Sequence, residues 1–193
     1  MKDKYEILNK KYESKRGFTI LESLVAIFVL SLAISGAFSA VRQSLHQSIL
    51  SKDEVKAFYL AQEVMEIVRN KRDTNQLAFI SDGTTNWLTG ITSNASDNCY
   101  FGKVCSIDAS SYNFVSLGST YCGSSWGSCQ NLRQNQTDFR YGYNIAWANT
   151  NFKREVMLES VNGDEISMTV RITWTKGMIT KEFKVKTHLF KWI

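Results

Sequence analysis

Lys15-Arg16-Gly17-Phe18-Thr19-Ile20-Leu21-Glu22-Ser23-Leu24-Val25-Ala26 opens a segment that carries one carboxylate and then no charge until Arg42. Phe18 to Val41 is 24 residues, enough as a helix to cross a hydrocarbon layer of about 30 Å. Glu22 stands just inside the N-terminal end of that run, where an ionised carboxylate is costly unless it finds a partner, reaches the interface or takes up a proton. The first helical turn lowers the cost, because its amide N–H groups and the helix dipole favour negative charge. One reading is therefore an interfacial acid tolerated at a helix start. The other joins Glu22 to Gly17. Glycine offers a peptidase an unhindered backbone, and cleavage after it creates an α-amino group on Phe18, four residues ahead of the acid. An amine and a carboxylate in apolar surroundings neutralise each other, within one chain or between neighbours.

This combination of basic residues, Gly, Phe, Thr and Glu at fixed spacing before a long apolar tail resembles the class III leader junction of type IV prepilins and type II secretion pseudopilins. The resemblance covers only that short stretch. It implies that a membrane aspartyl prepilin peptidase cuts the Gly17–Phe18 bond and methylates Phe18, and that Glu22 pairs with a neighbour's N-terminus during assembly. The implied partners are that peptidase, other pilin or pseudopilin subunits, the membrane platform of the assembly machine, and the lipid bilayer before assembly.

Charge and cysteine usage bear on compartment. The leader, residues 1–17, holds six Lys/Arg against three acids, so +3 of the chain's +5 lies there and +2 remains on the rest. Basic residues before a span keep that end in the cytoplasm, which puts everything after it outside. The expected location is the cytoplasmic membrane, single-pass with its head outside, and then an extracellular or periplasmic filament. A near-neutral balance beyond the leader gives no support for nucleic-acid binding. A secretory signal peptide, with Ala37-Phe38-Ser39-Ala40 as its cleavage site, competes, but its apolar core is ordinarily about 7–15 residues and has no use for Glu22. Cys99, Cys105, Cys122 and Cys129 fall in a Ser/Asn/Gly-rich region. In an oxidising compartment they read as two disulfides with three possible connectivities, local pairing being favoured because short loops close readily. Zinc is the alternative, although the spacings lack the short Cys pairs of zinc knuckles and no His lies nearby.

Past Arg42 the pattern turns amphipathic: Ala57, Phe58, Ala61, Val64, Met65 and Val68 recur at helical spacing, with Leu60 and Ile67 widening the stripe. Arg69, Lys71 and Arg72 suit a helix C-terminus and Asp73-Thr74-Asn75 a stop. One helix from Phe18 to about Arg72 is expected, and Ser35-Gly36 is where it would bend or unwind, unless Ser31, Ser35, Gly36 and Ser39 simply allow close helix approach. Residues 74–137 read as an irregular, disulfide-stapled region with aromatic anchors such as Phe79, Trp87, Tyr100, Phe101, Tyr112, Phe114 and Trp126. Period-two alternation follows in Phe139–Trp147, Ile166–Trp174 and Ile179–Leu189, and Phe152–Ser160 with the Asn162-Gly163 turn completes about four antiparallel strands. The expected fold class is α+β and pilin-like, a long N-terminal helix packed against a C-terminal antiparallel sheet. Its divisions are the leader 1–17, a membrane and assembly helix 18–41, an amphipathic continuation 42–73, the stapled region 74–137 and the sheet 138–193.

No Ser elbow, phosphate loop, His-Glu metal motif or dinucleotide fingerprint occurs. His46 and His188 belong to no recognisable site, and the sequons at Asn94 and Asn135 are short enough to arise by chance. Trp87, Trp126 and Trp147 fit core packing better than a binding surface. No enzyme activity, cofactor or metal is expected. The leading expectation is a structural subunit, by resemblance a minor pilin or minor pseudopilin of a type IV pilus or type II secretion-like filament. The alternatives are a membrane-anchored extracytoplasmic binding protein with Gly17 uncut, and a secreted enzyme with an unusual signal.

Overall fold

The structure, a computed structural model, describes residues 17, 19–111 and 117–192. The leader residues before Gly17, together with Phe18, Tyr112 and Phe114, lie outside the described residues. The chain divides into two compact units, Met1–Ile49 and Leu50–Ile193. One α-helix, α1 (Ile20–Asp82), contributes to both. In the first unit every described residue is exposed. The helix continues without a break through Ser35-Gly36, so the local unwinding expected as one option there is not seen.

In the second unit α1 has one buried stripe. Ala57, Leu60, Ala61, Val64 and Val68 are each at most 4% exposed, at three- and four-residue steps that stack on one face. Phe58 lies off that stripe, half exposed, with its ring edge-on to Phe183. The helix runs past the expected stop at residues 73–75. Beyond Val68 its inward positions become polar, with Lys71, Asn75 and Gln76 buried. Asn75 caps nothing; its Nδ2 donates to the carbonyls of Trp87 (3.1 Å) and Thr89 (2.8 Å), fastening the following loop to the helix. Thr74 Oγ1 donates back to Asn70 O. The true terminus is Gly83 at φ +65°, whose N–H donates to Phe79 O, a left-handed residue that glycine adopts without a Cβ penalty.

Seven antiparallel strands form one sheet, where about four were expected: β1 (Val104–Ile107), β2 (Ser119–Gly123), β3 (Asn131–Gln134), β4 (Tyr141–Gly142), β5 (Ala148–Asn162), β6 (Glu165–Lys176) and β7 (Ile179–Phe190). The long strand β5 organises them. One edge pairs with β6 along its length, and β6 pairs with β7. The other edge is shared, β3 taking its N-terminal part and β1 the residues Val156 and Met157. The region 74–137 is therefore not wholly irregular; it holds the end of α1 and three short strands. Conversely, only Tyr141 and Gly142 of the expected strand Phe139–Trp147 pair. Phe139 has φ +58° and Ile145 is 84% exposed, so that alternation belongs to a turn. A Cβ at Gly142 would lie 2.7 Å from Asp108 Oδ1, so this backbone packs too closely for any side chain.

Period-two alternation places Phe152, Arg154, Val156 and Leu158 of β5 on one face, registered against Trp174, Ile172, Val170 and Met168 of β6. These pack with the stripe of α1 in one core, which gives the expected α+β arrangement. Arg154 is wholly buried there. It donates from Nη1 to Leu60 O (3.2 Å) and to the Glu63 carboxylate, and from Nη2 to Ile107 O (2.8 Å). The next residue, Glu155, faces the opposite side and is also wholly buried. Its Oε1 accepts from Gly127 N (2.7 Å) and Cys129 N (3.2 Å), and its Oε2 from both Arg171 Nε (3.0 Å) and Nη2 (2.6 Å). Cys99 is bonded to Cys105 and Cys122 to Cys129. Half-buried Trp126, in the loop closed by the second disulfide, lies under the Arg171 guanidinium (5.0 Å) and the Lys184 ammonium (5.5 Å).

Two consequences are measurable. Arg154→Ala removes the guanidinium joining helix, β1 and β5, and should destabilise the second unit by about 3–5 kcal/mol, read as a lowered unfolding temperature. The Asp82 carboxyl is held down to about 2 by the hydroxyl of Thr85 first, and by the backbone N–H groups of Thr84 and Thr85. A group whose folded value lies below its unfolded one stabilises above the unfolded value and loses that effect as pH falls through the folded one. The Thr84 and Thr85 amide resonances should therefore hold their positions from neutral pH to below the ordinary carboxylate value of 3.8, and shift with a midpoint near 2.

Candidate functional site

The N-terminal end of α1 is built from the cap inward. Thr19 is the residue before the helix. Its carbonyl accepts from Ser23 N (3.1 Å) and its Oγ1 from Glu22 N (3.2 Å). That geometry makes Thr19 an N-cap and Glu22 the third helical residue, the spacing of a capping box. Thr19 had no structural role assigned from the sequence, although Thr-x-x-Glu before an apolar run was the signal for it. Gly17 is exposed, and a Cβ there would meet nothing within 4 Å, so its backbone is open on that side.

Glu22 lies in the first turn, where the helix dipole favours a negative charge. Among the described residues its carboxylate has no hydrogen-bond or ion-pair partner. Behind it stand Leu24, Val25, Ile27, Phe28, Val29, Leu30, Leu32, Ile34, Phe38 and Val41, each about half exposed or more. The helix is long and apolar enough to cross a membrane, with a mean hydropathy of 2.4 over its most apolar window and none of that window buried. An apolar surface of this length, continuous around the helix, has to be covered by lipid or by other helices. Ser31, Ser35 and Ser39 recur every four residues, and Ser31 Oγ donates to Ile27 O at 2.8 Å, which keeps its hydroxyl satisfied inside the helix.

The other residues singled out from the sequence lie in the second unit or away from this end. The four cysteines are all consumed in disulfides and no free cysteine remains. Zinc ligation by them is thereby replaced by stapling. Among the described residues no group of three or more His, Cys, Asp and Glu side chains is placed to hold a metal. His46 is exposed on α1, and His188 Nδ1 sits 2.6 Å from Glu165 Oε1 on the outer side of the sheet. Trp87 is in the core, whereas Trp126 and Trp147 are half-buried.

The structure thus brings together an open glycine, a capped helix start and an unpartnered acid at the head of an uncharged helix. Comparison with known proteins points to the same stretch. No curated protein and no solved structure matches the chain. Residues 14–38 match the family model described as the prokaryotic N-terminal methylation motif. The chain therefore carries, at residues 14–38, the N-terminal methylation motif of type IV pilin class III signal peptides, leading into its long apolar helix.

Proposed function

We propose that this chain is the precursor of a filament subunit, a minor pilin or minor pseudopilin, cut after Gly17, methylated on Phe18 and polymerised through the apolar half of α1. The observation that carries this reading is the motif match at residues 14–38, within which the Glu22 carboxylate has no partner among the described residues. A carboxylate buried by lipid or by packed helices needs a counter-charge. Cleavage creates one, the α-amine of Phe18, and in a polymer the amine of a neighbouring subunit meets the same need while fixing axial register. Before assembly the helix sits in the cytoplasmic membrane, with the basic leader inside and the second unit outside. Two disulfides suit that compartment. The partners are a prepilin peptidase, other pilin-like subunits and the assembly platform. A long loop region stapled by disulfides suits a minor subunit with an individual head better than an abundant shaft subunit.

Mass spectrometry of the native N-terminus should find N-methyl-Phe18. An uncut N-terminus would instead mean a singly displayed, membrane-anchored protein. Gly17→Leu should leave a full-length precursor in the membrane. Glu22→Ala should still be cut, yet enter filaments at least tenfold less than the parent chain in sheared-fibre immunoblots; normal incorporation would remove the register role.

A further inference from the structure

Where α1 ends, its last turns, the loop after it and the segment following β7 enclose a cleft of about 220 Å³, lined by Gln76, Phe79, Thr84, Asn86, Trp87 and Lys191 among others. Gln76 is 1% exposed, and neither its Nε2 nor its Oε1 has a hydrogen-bond partner. A buried amide with both ends unpaired is unfavourable, and the fold does not need one here. The loop carbonyls of Trp87 and Thr89 are already taken by Asn75. An apolar side chain of the same length would close the helix stripe as Leu60 and Val64 do.

The rest of the lining narrows what the amide is for. The loop wall is fixed, because Asp82 accepts from Thr84 N (2.8 Å) and Thr85 N (2.9 Å). Asn86 Oδ1 accepts from Leu88 N (2.8 Å), which leaves its Nδ2 as a donor. Lys191 supplies a positive charge and no carboxylate lines the cleft. Phe79, 37% exposed, offers an aromatic surface. Gln76 lines the cleft although its amide atoms have almost no exposed surface, and the exposed Phe79 and Lys191 beside it are free to turn.

We propose that this cleft is a binding site for a small acidic sugar. Adjacent ring hydroxyls, each both donor and acceptor, match the side-by-side N–H and C=O of the Gln76 amide. The apolar face of the ring lies against Phe79, and the carboxylate meets Lys191. The volume suits one ring and not a peptide, and the lining sets the rings of Phe79 and Trp87 beside convergent polar groups. The site lies wholly within the second unit, and its occupancy is independent of whether the chain is cut after Gly17.

Saturation-transfer NMR on the full chain in detergent micelles, with glucuronate, glucose and acetate each at up to about 10 mM, tests this. Glucuronate should show transfer, with glucose and acetate at least tenfold weaker. Gln76→Leu should abolish the glucuronate signal while leaving the unfolding temperature equal or higher, since it removes an unpaired buried amide. Lys191→Ala should reduce glucuronate to the level of glucose. Absence of transfer to glucuronate, or transfer unchanged in Gln76→Leu, would overturn the site. Acetate binding as well as glucuronate would overturn the sugar, and glucose binding as well would overturn the acidic requirement.

Discussion

Two consecutive charged residues in the middle of β5 hold the second unit together. Arg154 and Glu155 point to opposite faces of the sheet, as neighbours on a strand must, and both are wholly buried. Arg154 reaches the helix at Leu60 and Glu63 and the neighbouring strand at Ile107; Glu155 gathers the second disulfide loop and Arg171. A buried charge is costly unless its donors or acceptors are used; Arg154 Nε has no partner, but both terminal nitrogens do, so each residue dictates where its surroundings must sit. The helix cannot slide along the sheet without stranding the guanidinium. The loop carrying Trp126 cannot lift without stranding the carboxylate, and Lys153, which donates to Gly127 O at 2.7 Å, adds a further tie.

The helix that meets this sheet answers two different demands along its length. Up to Val41 it is apolar on all sides, a composition with no stable surface in water. From Ala57 to Val68 the apolar residues are confined to one stripe, and the core accepts them. From Lys71 on, the inward positions are polar, and the helix persists because Asn75 finds loop carbonyls to replace apolar contact. One secondary structure thus passes from a surface that requires an outside partner, through a packed core, to a polar end that organises a loop and a cleft.

Which of these features the amino-acid order reveals depends on how local their causes are. Gly17, Phe18 and Glu22 stand out because a motif of fixed spacing is local by nature, and the stripe of α1 and the twelve- and fifteen-residue strands β5 to β7 are long enough for periodicity to register. The extension of α1 to Asp82 was hidden because its inward residues are polar and their partners lie 12 and 14 positions away. Strands β1, β2 and β3 have only four or five residues each, too few for a period to be distinguished from chance. Phe139 to Trp147 misled for the opposite reason, since aromatic residues alternating through a turn imitate a strand. Nothing local marks Arg154, Glu155 or Gln76 as buried, because the chain elements that cover them are distant in sequence.

The chain therefore treats two of its carboxylates in contrasting ways. Glu155 is withdrawn from water and surrounded by two backbone amides and one guanidinium, all from its own chain. Glu22 heads a helix that must itself be withdrawn from water, yet beyond the dipole of its own first turn the described residues offer it nothing. One acid is thus satisfied within its own chain, while the other heads nineteen uncharged residues with no partner among the described residues. Under the proposed processing, cleavage after Gly17 frees an amine on Phe18, and helices packed side by side would offer Glu22 the counter-charge that Glu155 finds in Arg171.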